Sequence, residues 1–388
     1  MDEKIQKIIL TPLHVPFKEY VRKALGESEG GLGMAIGSEE AWLGGDFVIC
    51  QLITNEGKEG LGEVFVWLPE TGITPNQIID SIKHGLANYI LGESPFNIEK
   101  INNRMDINIA RSECAKGLLD MACYDLMGKI TRRPVCELIG GRNVEKIENT
   151  ALIPLADPML MRGLANSYYK KGYRTIRLKL GNGIKEDIEI VKKVREKLGD
   201  KIKIRVDYNQ AYNPQVAVRA IQAIEPFGID YAEQPVKAND YKGMAYVQQR
   251  INTPLMAHEG FFSLKDLITL TELKAIGVLG VNSERPGGVT KAIKAIHFAK
   301  LNGLGVVLHN QPLGISSAFQ VHIMAAKYHL IEHSNELFGM EMMEDDLIQE
   351  AVDYRTGMIQ VPKSPGWGVK LDKNALDKYA TSPSIEIK

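Results

Sequence analysis

Three acidic residues recur at one spacing in the second half of the chain. Asp207 ends the run KIRVD, Glu233 ends IDYAE and Glu259 ends PLMAHE, with 26 residues from each to the next (233 − 207 and 259 − 233). Three carboxylates brought together would repel one another, and a hard dication with a preference for oxygen removes that repulsion. The spacing therefore predicts a divalent metal site, with Mg²⁺ as the ion.

Two alternatives to this ligand set stay open. His258 directly precedes Glu259 and could be the third ligand, with Glu259 turned aside. We favour Glu259, because Mg²⁺ prefers oxygen. Each carboxylate could also cap the helix that follows it, which is the simpler interpretation for one acid alone and a weaker one for three in register.

Residues suited to proton transfer follow two other apolar runs. Arg177 and Lys179 in TIRLK lie two residues apart, so both side chains face the same side of a strand. A lysine beside a metal and a guanidinium gives up its proton more readily, as a general base must. His309 ends GVVLH and is a second acid or base candidate. The simpler interpretations are an exposed rim lysine and a structural histidine.

The elements that carry these residues repeat regularly. From Asn149, short apolar strands alternate with amphipathic helices about every 26 residues, and strand ends fall near Leu155, Lys179, Asp207, Glu233, Glu259, Asn282, His309 and Glu332. Alternation of this kind predicts a parallel sheet, and eight units predict a closed barrel with its active site at the carboxyl ends of the strands.

The rest of the chain predicts a smaller α+β domain. Two alternating runs, DFVICQLITNEG and EGLGEVFVW, favour a hairpin, and residues 74–139 have helical periodicity. We expect residues 1–141 to form this domain, residues 142–340 the barrel, and residues 341–388 a segment that returns to the small domain. The glycine-rich segment from Glu27 to Gly45 is predicted to be a loop that closes over the substrate.

Composition indicates the class of partner. The chain has 47 basic and 48 acidic residues, a net charge of −1, which gives no electrostatic footprint for a nucleic acid or an anionic membrane. The four cysteines show no CxxC spacing, and no signal peptide or membrane-spanning run is evident. We expect a cytoplasmic protein with a small-molecule partner.

Several motifs together resemble the enolase superfamily, specifically its mandelate racemase and muconate lactonizing enzyme type. They are LLDMACYDLMGK with the later LIGG, the strand RLK with its glycine, VDYNQAY, YAEQP, PGGVT and PGWG. The resemblance implies a modified (β/α)₇β barrel of the TIM type with an α+β capping domain formed by the N-terminal region and the C-terminal tail. It also implies a homo-oligomer and a small carboxylate substrate. Mg²⁺ would hold the carboxylate while a base takes the α-proton, which gives a metal-stabilised enolate.

The resemblance also implies roles for individual residues. Asp207, Glu233 and Glu259 match the metal ligands, and Lys179 matches the base. Asn209 matches a polar residue that supports the site, and Glu332 matches a glutamate that contacts the substrate carboxylate.

Two positions depart from the family pattern. Arg177 replaces a lysine, so the positive charge remains, but the guanidinium can form two hydrogen bonds to one carboxylate. Asn282, which we expect to face the substrate, stands where relatives carry an aspartate or a lysine. An amide cannot raise the basicity of His309, so the role of His309 is open.

Several reactions are compatible with this site. We favour β-elimination of water from a hydroxy acid or acid sugar, with His309 as the acid. The alternative is a racemase or epimerase, in which His309 reprotonates the α-carbon. A cycloisomerase is less favoured because the strand-six lysine is absent, and a non-enzymatic scaffold is the least favoured.

Overall fold

The computed structural model describes residues 3–26, 43–282, 284–309 and 313–388. Its strands are β1 (Ile5–Pro16), β2 (Gly44–Thr54), β3 (Glu59–Phe65), β4 (Lys146–Glu148), β5 (Ala151–Ile153), β6 (Thr175–Lys179), β7 (Lys203–Asp207), β8 (Ile229–Glu233), β9 (Leu255–Ala257), β10 (Val278–Val281), β11 (Gly305–Leu308), β12 (Met358–Gln360) and β13 (Ile385–Ile387). Most of the predicted loop from Glu27 to Gly45 lies outside the described residues, and its last two residues begin β2.

The helices alternate with the strands through the second half of the chain. They are α1 (Glu19–Gly26), α2 (Leu68–Thr71), α3 (Pro75–His84), α4 (Ile98–Asn108), α5 (Glu113–Thr131), α6 (Val135–Leu138), α7 (Pro158–Lys171), α8 (Ile184–Leu198), α9 (Pro214–Ile224), α10 (Tyr241–Gln248), α11 (Leu264–Glu272), α12 (Gly288–Leu301), α13 (Gly314–Lys327), α14 (Gly339–Met342) and α15 (Lys373–Tyr379). Each strand from β5 to β11 is followed by one helix, from α7 to α13. Among the described helices, none combines the length and apolar content that crossing a membrane requires.

An antiparallel sheet in the order β13-β1-β2-β3 forms the capping domain together with the helices that cover it. Helix α5 packs very closely on β3. A Cβ atom at Gly60 would lie 2.3 Å from the Ala122 carbonyl oxygen, and one at Gly62 would lie 2.4 Å from that of Leu118. Glycine is therefore needed at both positions for the helix to reach the sheet.

The C-terminal end of the chain contacts this domain in several places, of which two are strand β13 and Trp367. Strand β13 pairs with β1, and the fully buried Trp367 binds the hairpin. Asp125 of α5 accepts hydrogen bonds from the backbone N–H groups of Leu61, at 2.8 Å, and Trp367, at 2.7 Å. The domain boundaries at residues 141 and 340 stay predictions.

The second sheet has seven parallel strands in the order β5-β6-β7-β8-β9-β10-β11, and it curls into an open barrel. All five residues of β6 are buried, as expected of a parallel strand covered on both faces. The register pairs Lys179 with Asp207 and Asp207 with Glu233. These side chains therefore start from neighbouring positions at one end of the barrel.

The predicted eighth strand does not form where the sequence indicated. Residues near 335 close the gap between β5 and β11 as irregular chain, in which the Thr150 N–H donates to the Asn335 carbonyl at 2.8 Å and the Glu336 N–H donates to that of Leu308 at 3.2 Å. The closing segment thus reaches the carboxyl end of β11 at Glu336, four residues beyond the expected Glu332.

Candidate active site

Most of the predicted residues come together at the carboxyl ends of the barrel strands. Lys179, Asp207 and Glu233 end β6, β7 and β8. Asn282 and His309 directly follow β10 and β11, while His258 and Glu259 follow β9. Arg177 lies within β6, and Asn209 follows β7 and is partly exposed. Apart from Asn209, the predicted residues at this end are buried: Arg177, Lys179, Asp207, Glu233, His258, Glu259, Asn282 and His309.

Arg177 bridges the first two carboxylates of the site. Its Nη2 donates to Asp207 Oδ2 and to Glu233 Oε1, the latter at 2.6 Å. Burial alone would lower the pKa of Arg177, but Asp207 and Glu233 raise it well above its usual value. Arg177 is therefore a fixed positive charge, and it serves to position carboxylates rather than to transfer protons.

Asn209 connects the base candidate to the third acid. Its side-chain oxygen accepts from Lys179 Nζ, which also donates to Asp207 Oδ2. Its Nδ2 donates to Glu259 Oε1 at 3.0 Å. The backbone φ of +41° at Asn209 is in the left-handed region, which asparagine tolerates better than most residues. Asn209 therefore lies between Lys179 and Glu259, and its supporting role stays a prediction.

The carboxylates differ in their electrostatic surroundings. Burial raises the pKa of Glu233 well above its usual value, and Asp207 and Glu336 add to the rise against the opposing effect of Arg177. Burial would also raise the pKa of Glu259, but hydrogen bonding and charge from His258, with a bond from Asn209, hold it at about 2. A further positive charge beside Glu233 would therefore favour its ionised form.

Several buried polar atoms at this point have no hydrogen-bond partner within the described part of the chain. They are Glu233 Oε2, Glu259 Oε2, Glu336 Oε2, His258 Nδ1 and both ring nitrogens of His309. Donor atoms of Glu233, His258 and His309 all lie within 4.8 Å of one another. Unpartnered buried polar atoms are rare in proteins, and a convergent set of them suits a bound cation. The residues present therefore fit a divalent metal ion, although the convergent cluster joins Glu233 to the two histidines and does not include the predicted ligands Asp207 and Glu259.

Two imidazole rings lie face to face beside the carboxylates. The His258 and His309 rings stack with their centroids 3.7 Å apart, and His309 Nε2 lies 3.5 Å from Glu233 Oε1. Burial, followed by the neighbouring His258 and Arg177, lowers the pKa of His309 well below its usual value. Asn282 contacts the other ring, since its Oδ1 lies 3.1 Å from His258 Nε2.

Glu332 is the one predicted site residue that the structure places elsewhere. It forms an ion pair with Lys300 of α12 and accepts from the backbone N–H of Val306 at 3.2 Å, near the start of β11. This is the end of the barrel opposite the site. The prediction that Glu332 contacts the substrate carboxylate is therefore wrong. The error arose because the closing segment was assumed to be a regular strand that ended at residue 332.

Glu336 occupies the place in the site that was assigned to Glu332. It is fully buried, and its Oε1 accepts from Arg205 at 3.0 Å and from the Tyr231 hydroxyl at 2.7 Å. Its Oε2 lies 3.5 Å from His309 Nε2 and 3.6 Å from Arg177 Nη1. The sequence signal that could have identified Glu336 is the single acidic residue in the run SNELFG.

A cross-domain ion pair at the site was also missed. Glu70 of the capping helix α2 lies 2.9 Å from Arg285 Nη2, and the same Nη2 lies 2.9 Å from His258 Nε2. The guanidinium of Arg285 stacks over Phe262 at 4.6 Å. The only sequence signal for Arg285 was its position directly before the PGGVT motif.

Comparison with family models assigns both parts of the chain. Residues 31–140 match the mandelate racemase / muconate lactonizing enzyme N-terminal domain, and residues 160–375 match the enolase C-terminal domain-like model. The chain belongs to the mandelate racemase and muconate lactonizing enzyme family of the enolase superfamily. The fold and family that the sequence motifs indicated are thereby confirmed.

Similar proteins in this family span nearly the whole chain. The N-succinyl-L-Arg/Lys racemase of Bacillus cereus is 32% identical over 340 residues, which cover 87% of this chain and 91% of that protein. Its crystal structure superposes with a TM-score of 0.89 over 99% of this chain and 100% of that chain, at 29% identity.

Two further relatives extend the comparison. The hydrophobic dipeptide epimerase of Enterococcus faecalis is 33% identical over 344 residues, 87% of this chain and 92% of that protein. Its structure in complex with Mg and the dipeptide L-Leu-L-Tyr has a TM-score of 0.84 at 29% identity, over 95% of this chain and 99% of that chain. Muconate cycloisomerase 1 of Pseudomonas putida is 27% identical over 343 residues, 86% of this chain and 90% of that protein.

Proposed function

We propose that this chain is a metal-dependent racemase or epimerase that inverts the α-carbon of a carboxylate substrate. The observation that carries the proposal is the placement of Lys179 and His309 at the ends of β6 and β11, with the carboxylates of Asp207 and Glu233 between them. Inversion by proton transfer requires one group to remove a proton from one face of a carbon and a second group to supply a proton to the other face.

A divalent ion held by Asp207, Glu233 and Glu259 would act as a Lewis acid on the substrate carboxylate and lower the free energy of the enolate. The predicted ion is Mg²⁺, and the magnesium in the E. faecalis epimerase structure supports it. Arg177 and Asn209 hold the carboxylates and Lys179 in place. Lys179 Nζ takes or returns the proton on one face, and a ring nitrogen of His309 does so on the other.

The names of the relatives favour inversion over the dehydration that the sequence indicated first. The similar proteins are a racemase, an epimerase and a cycloisomerase. Cycloisomerisation is not proposed, because Asn282 stands where that branch is expected to carry a lysine. The proposal therefore takes the racemase or epimerase alternative and keeps dehydration as an outcome that the test can reveal.

The substrate class we propose is an amino acid derivative with a free α-carboxylate and a blocked amino group. The two relatives above 30% identity act, by their names, on N-succinyl amino acids and on dipeptides, which share these features. A blocked amino group carries no positive charge, so it would not oppose Lys179 and Arg177 in the same pocket.

The first experiment incubates the protein with Mg²⁺ in D₂O and follows the α-proton signal by ¹H NMR. N-succinyl amino acids and dipeptides form one arm, and hydroxy acids and acid sugars form the other. Loss of the α-proton signal with appearance of the opposite configuration in the first arm is the expected result. Formation of a 2-keto-3-deoxy acid in the second arm, without inversion in the first, would replace the proposal with a dehydratase.

A second experiment separates the two faces of the substrate. Lys179→Ala should abolish α-hydrogen exchange from one enantiomer, while His309→Gln should abolish it from the other, because each variant keeps one base. Both variants should lose inversion by about 10²-fold or more, the usual contribution of a positioned acid or base. The exposed His297→Gln is the matched control and should retain both activities. Equal loss of exchange from both enantiomers in both variants would contradict the two-base arrangement.

A further inference from the structure

The imidazole of His258 is buried with Nδ1 beside three carboxylates, and Glu70 Oε1 is the most distant of them at 3.7 Å. Its Nδ1 lies 3.5 Å from Glu233 Oε1 and 3.5 Å from Glu259 Oε2, and it has no hydrogen-bond partner within the described ranges. A buried polar atom without a hydrogen bond is destabilising, so this position calls for a partner that the described residues do not supply.

Asn282 determines which nitrogen of His258 can carry a proton. The Asn282 amide donates from Nδ2 to Glu284 Oε1 at 3.3 Å, so its oxygen faces His258 Nε2 at 3.1 Å. An amide oxygen only accepts, so Nε2 must be the protonated nitrogen when this bond forms. In this neutral tautomer Nδ1 presents its lone pair to Glu233 and Glu259, and a cation bound between these atoms makes that arrangement favourable.

Arg285 competes for the same nitrogen. Its Nη2 lies 2.9 Å from His258 Nε2, and a guanidinium N–H can bond there only if Nε2 carries no proton. Arg285 has other acceptors within reach, since Glu70 Oε1 lies 2.9 Å from Nη2 and Glu284 Oε1 lies 3.4 Å from Nε. The site therefore accommodates two tautomers of His258, one that bonds Asn282 and one that bonds Arg285.

We propose that His258, oriented by Asn282, adds an imidazole nitrogen to the carboxylate ligands of the metal, so that ions that bind nitrogen, such as Co²⁺, gain affinity relative to Mg²⁺ compared with a site that has oxygen ligands alone. A histidine ligand commonly donates its second ring N–H to a carbonyl or carboxylate, and Asn282 provides that acceptor here. Imidazole raises the affinity of a site for Co²⁺ relative to Mg²⁺, which binds oxygen. The inference rests on the proposed function only in requiring a divalent ion at this site.

Pulsed EPR of the Mn²⁺-loaded protein tests the ligand directly. We expect a coupling from a directly bound nitrogen that changes when histidine is labelled with ¹⁵N. The wild-type chain suffices for this measurement, so it does not depend on the folding of a variant. His258→Gln should remove the coupling and His309→Gln should retain it. No nitrogen coupling in the wild type, or a coupling that survives His258→Gln, would overturn the proposal.

Metal affinities measured by calorimetry test the role of Asn282. Asn282→Leu removes the acceptor for Nε2–H and should weaken Co²⁺ binding by about 10–100-fold, the usual effect of losing such a partner, with a smaller change for Mg²⁺. Asn282→Asp keeps an acceptor and should restore most of the Co²⁺ affinity. Equal losses for both ions in Asn282→Leu would show that Asn282 acts only on the structure of the site and would refute its orienting role.

Failure here and failure of the proposed function give different results. An oxygen-only ligand set in the EPR spectrum, together with α-hydrogen exchange in D₂O, would remove the inference and leave the racemase or epimerase intact. A nitrogen ligand without exchange on any N-acyl amino acid or dipeptide would do the reverse.

Discussion

Replacement of Glu63 by glutamine should make the protein more stable at alkaline pH. Glu63 lies on β3 and is fully buried against the first turn of α13, the helix that follows the His309 strand. Its Oε2 accepts from the backbone N–H groups of Ile315, at 3.1 Å, and Ser316, at 3.3 Å, while its Oε1 has no partner among the described residues. Burial raises the pKa of Glu63 to about 8, in spite of these bonds.

The size and sign of the effect follow from this pKa. In the folded protein Glu63 keeps its proton up to about pH 8, whereas in the unfolded chain it ionises near 4.5. Because the folded state binds the extra proton between these values, the free energy of unfolding falls as the pH rises through this window. Each pKa unit corresponds to about 1.4 kcal/mol, so the rise from 4.5 to about 8 amounts to about 5 kcal/mol above pH 8.

Glu63→Gln keeps an acceptor for the α13 backbone and removes the titration. Urea unfolding should give nearly equal stabilities for wild type and variant at pH 5, and a more stable variant at pH 8.5, by up to about 5 kcal/mol. Glu59→Gln on the same strand is the control, because Glu59 is only partly buried. A variant that is less stable than the wild type by the same amount at both pH values would refute the reasoning, since that result requires an ionised Glu63 bound to the helix N-terminus.

Other predictions concern the two ends of the barrel and the metal. Glu332→Gln should leave α-hydrogen exchange unchanged in the NMR assay, because Glu332 pairs with Lys300 away from the site. Glu336→Gln should lower the unfolding free energy in urea by about 3 kcal/mol, because the buried Arg205 loses its fully buried carboxylate partner and keeps only Asp230, which is partly exposed; a loss below about 1 kcal/mol would contradict this. Removal of divalent metal with a chelator at pH 7.5 should lower the calorimetric unfolding temperature, and returned metal should restore it, because the buried carboxylates lose their countercharge. An unchanged temperature would argue against metal at this site.

The sequence was sufficient to predict that the strand-end side chains lie together, because each repeat of one strand and one helix has nearly the same length. Equal spacing of Asp207, Glu233 and Glu259 reflects one strand and one helix per repeat, so each repeat returns the chain to the same level of the barrel. In the structure, this repeat places Lys179 opposite Asp207 and Asp207 opposite Glu233 in neighbouring strands. A polar residue at the end of an apolar strand can therefore be assigned to this end of the barrel from the local sequence alone.

Two parts of the site had no such local signal. The segment that closes the barrel is irregular, so no period indicated that Glu336 rather than Glu332 would reach the carboxyl end of β11. The ion pair between Glu70 and Arg285 joins the capping domain to the barrel across 215 positions of sequence (285 − 70). Its formation depends on how the two domains dock, and the composition of either segment alone does not encode that.

Asn282 shows how the same residue is interpreted differently once its neighbours are known. From the sequence, the amide at this position is expected to face the substrate and to leave His309 without an ionisable partner, because family members place an ionisable group there. In the structure its oxygen contacts His258 instead, and Glu284 holds the amide in that orientation. The residue at the end of β10 thus contacts the proposed ligand His258 at the end of β9, so its effect on metal choice and its effect on proton transfer are separable by experiment.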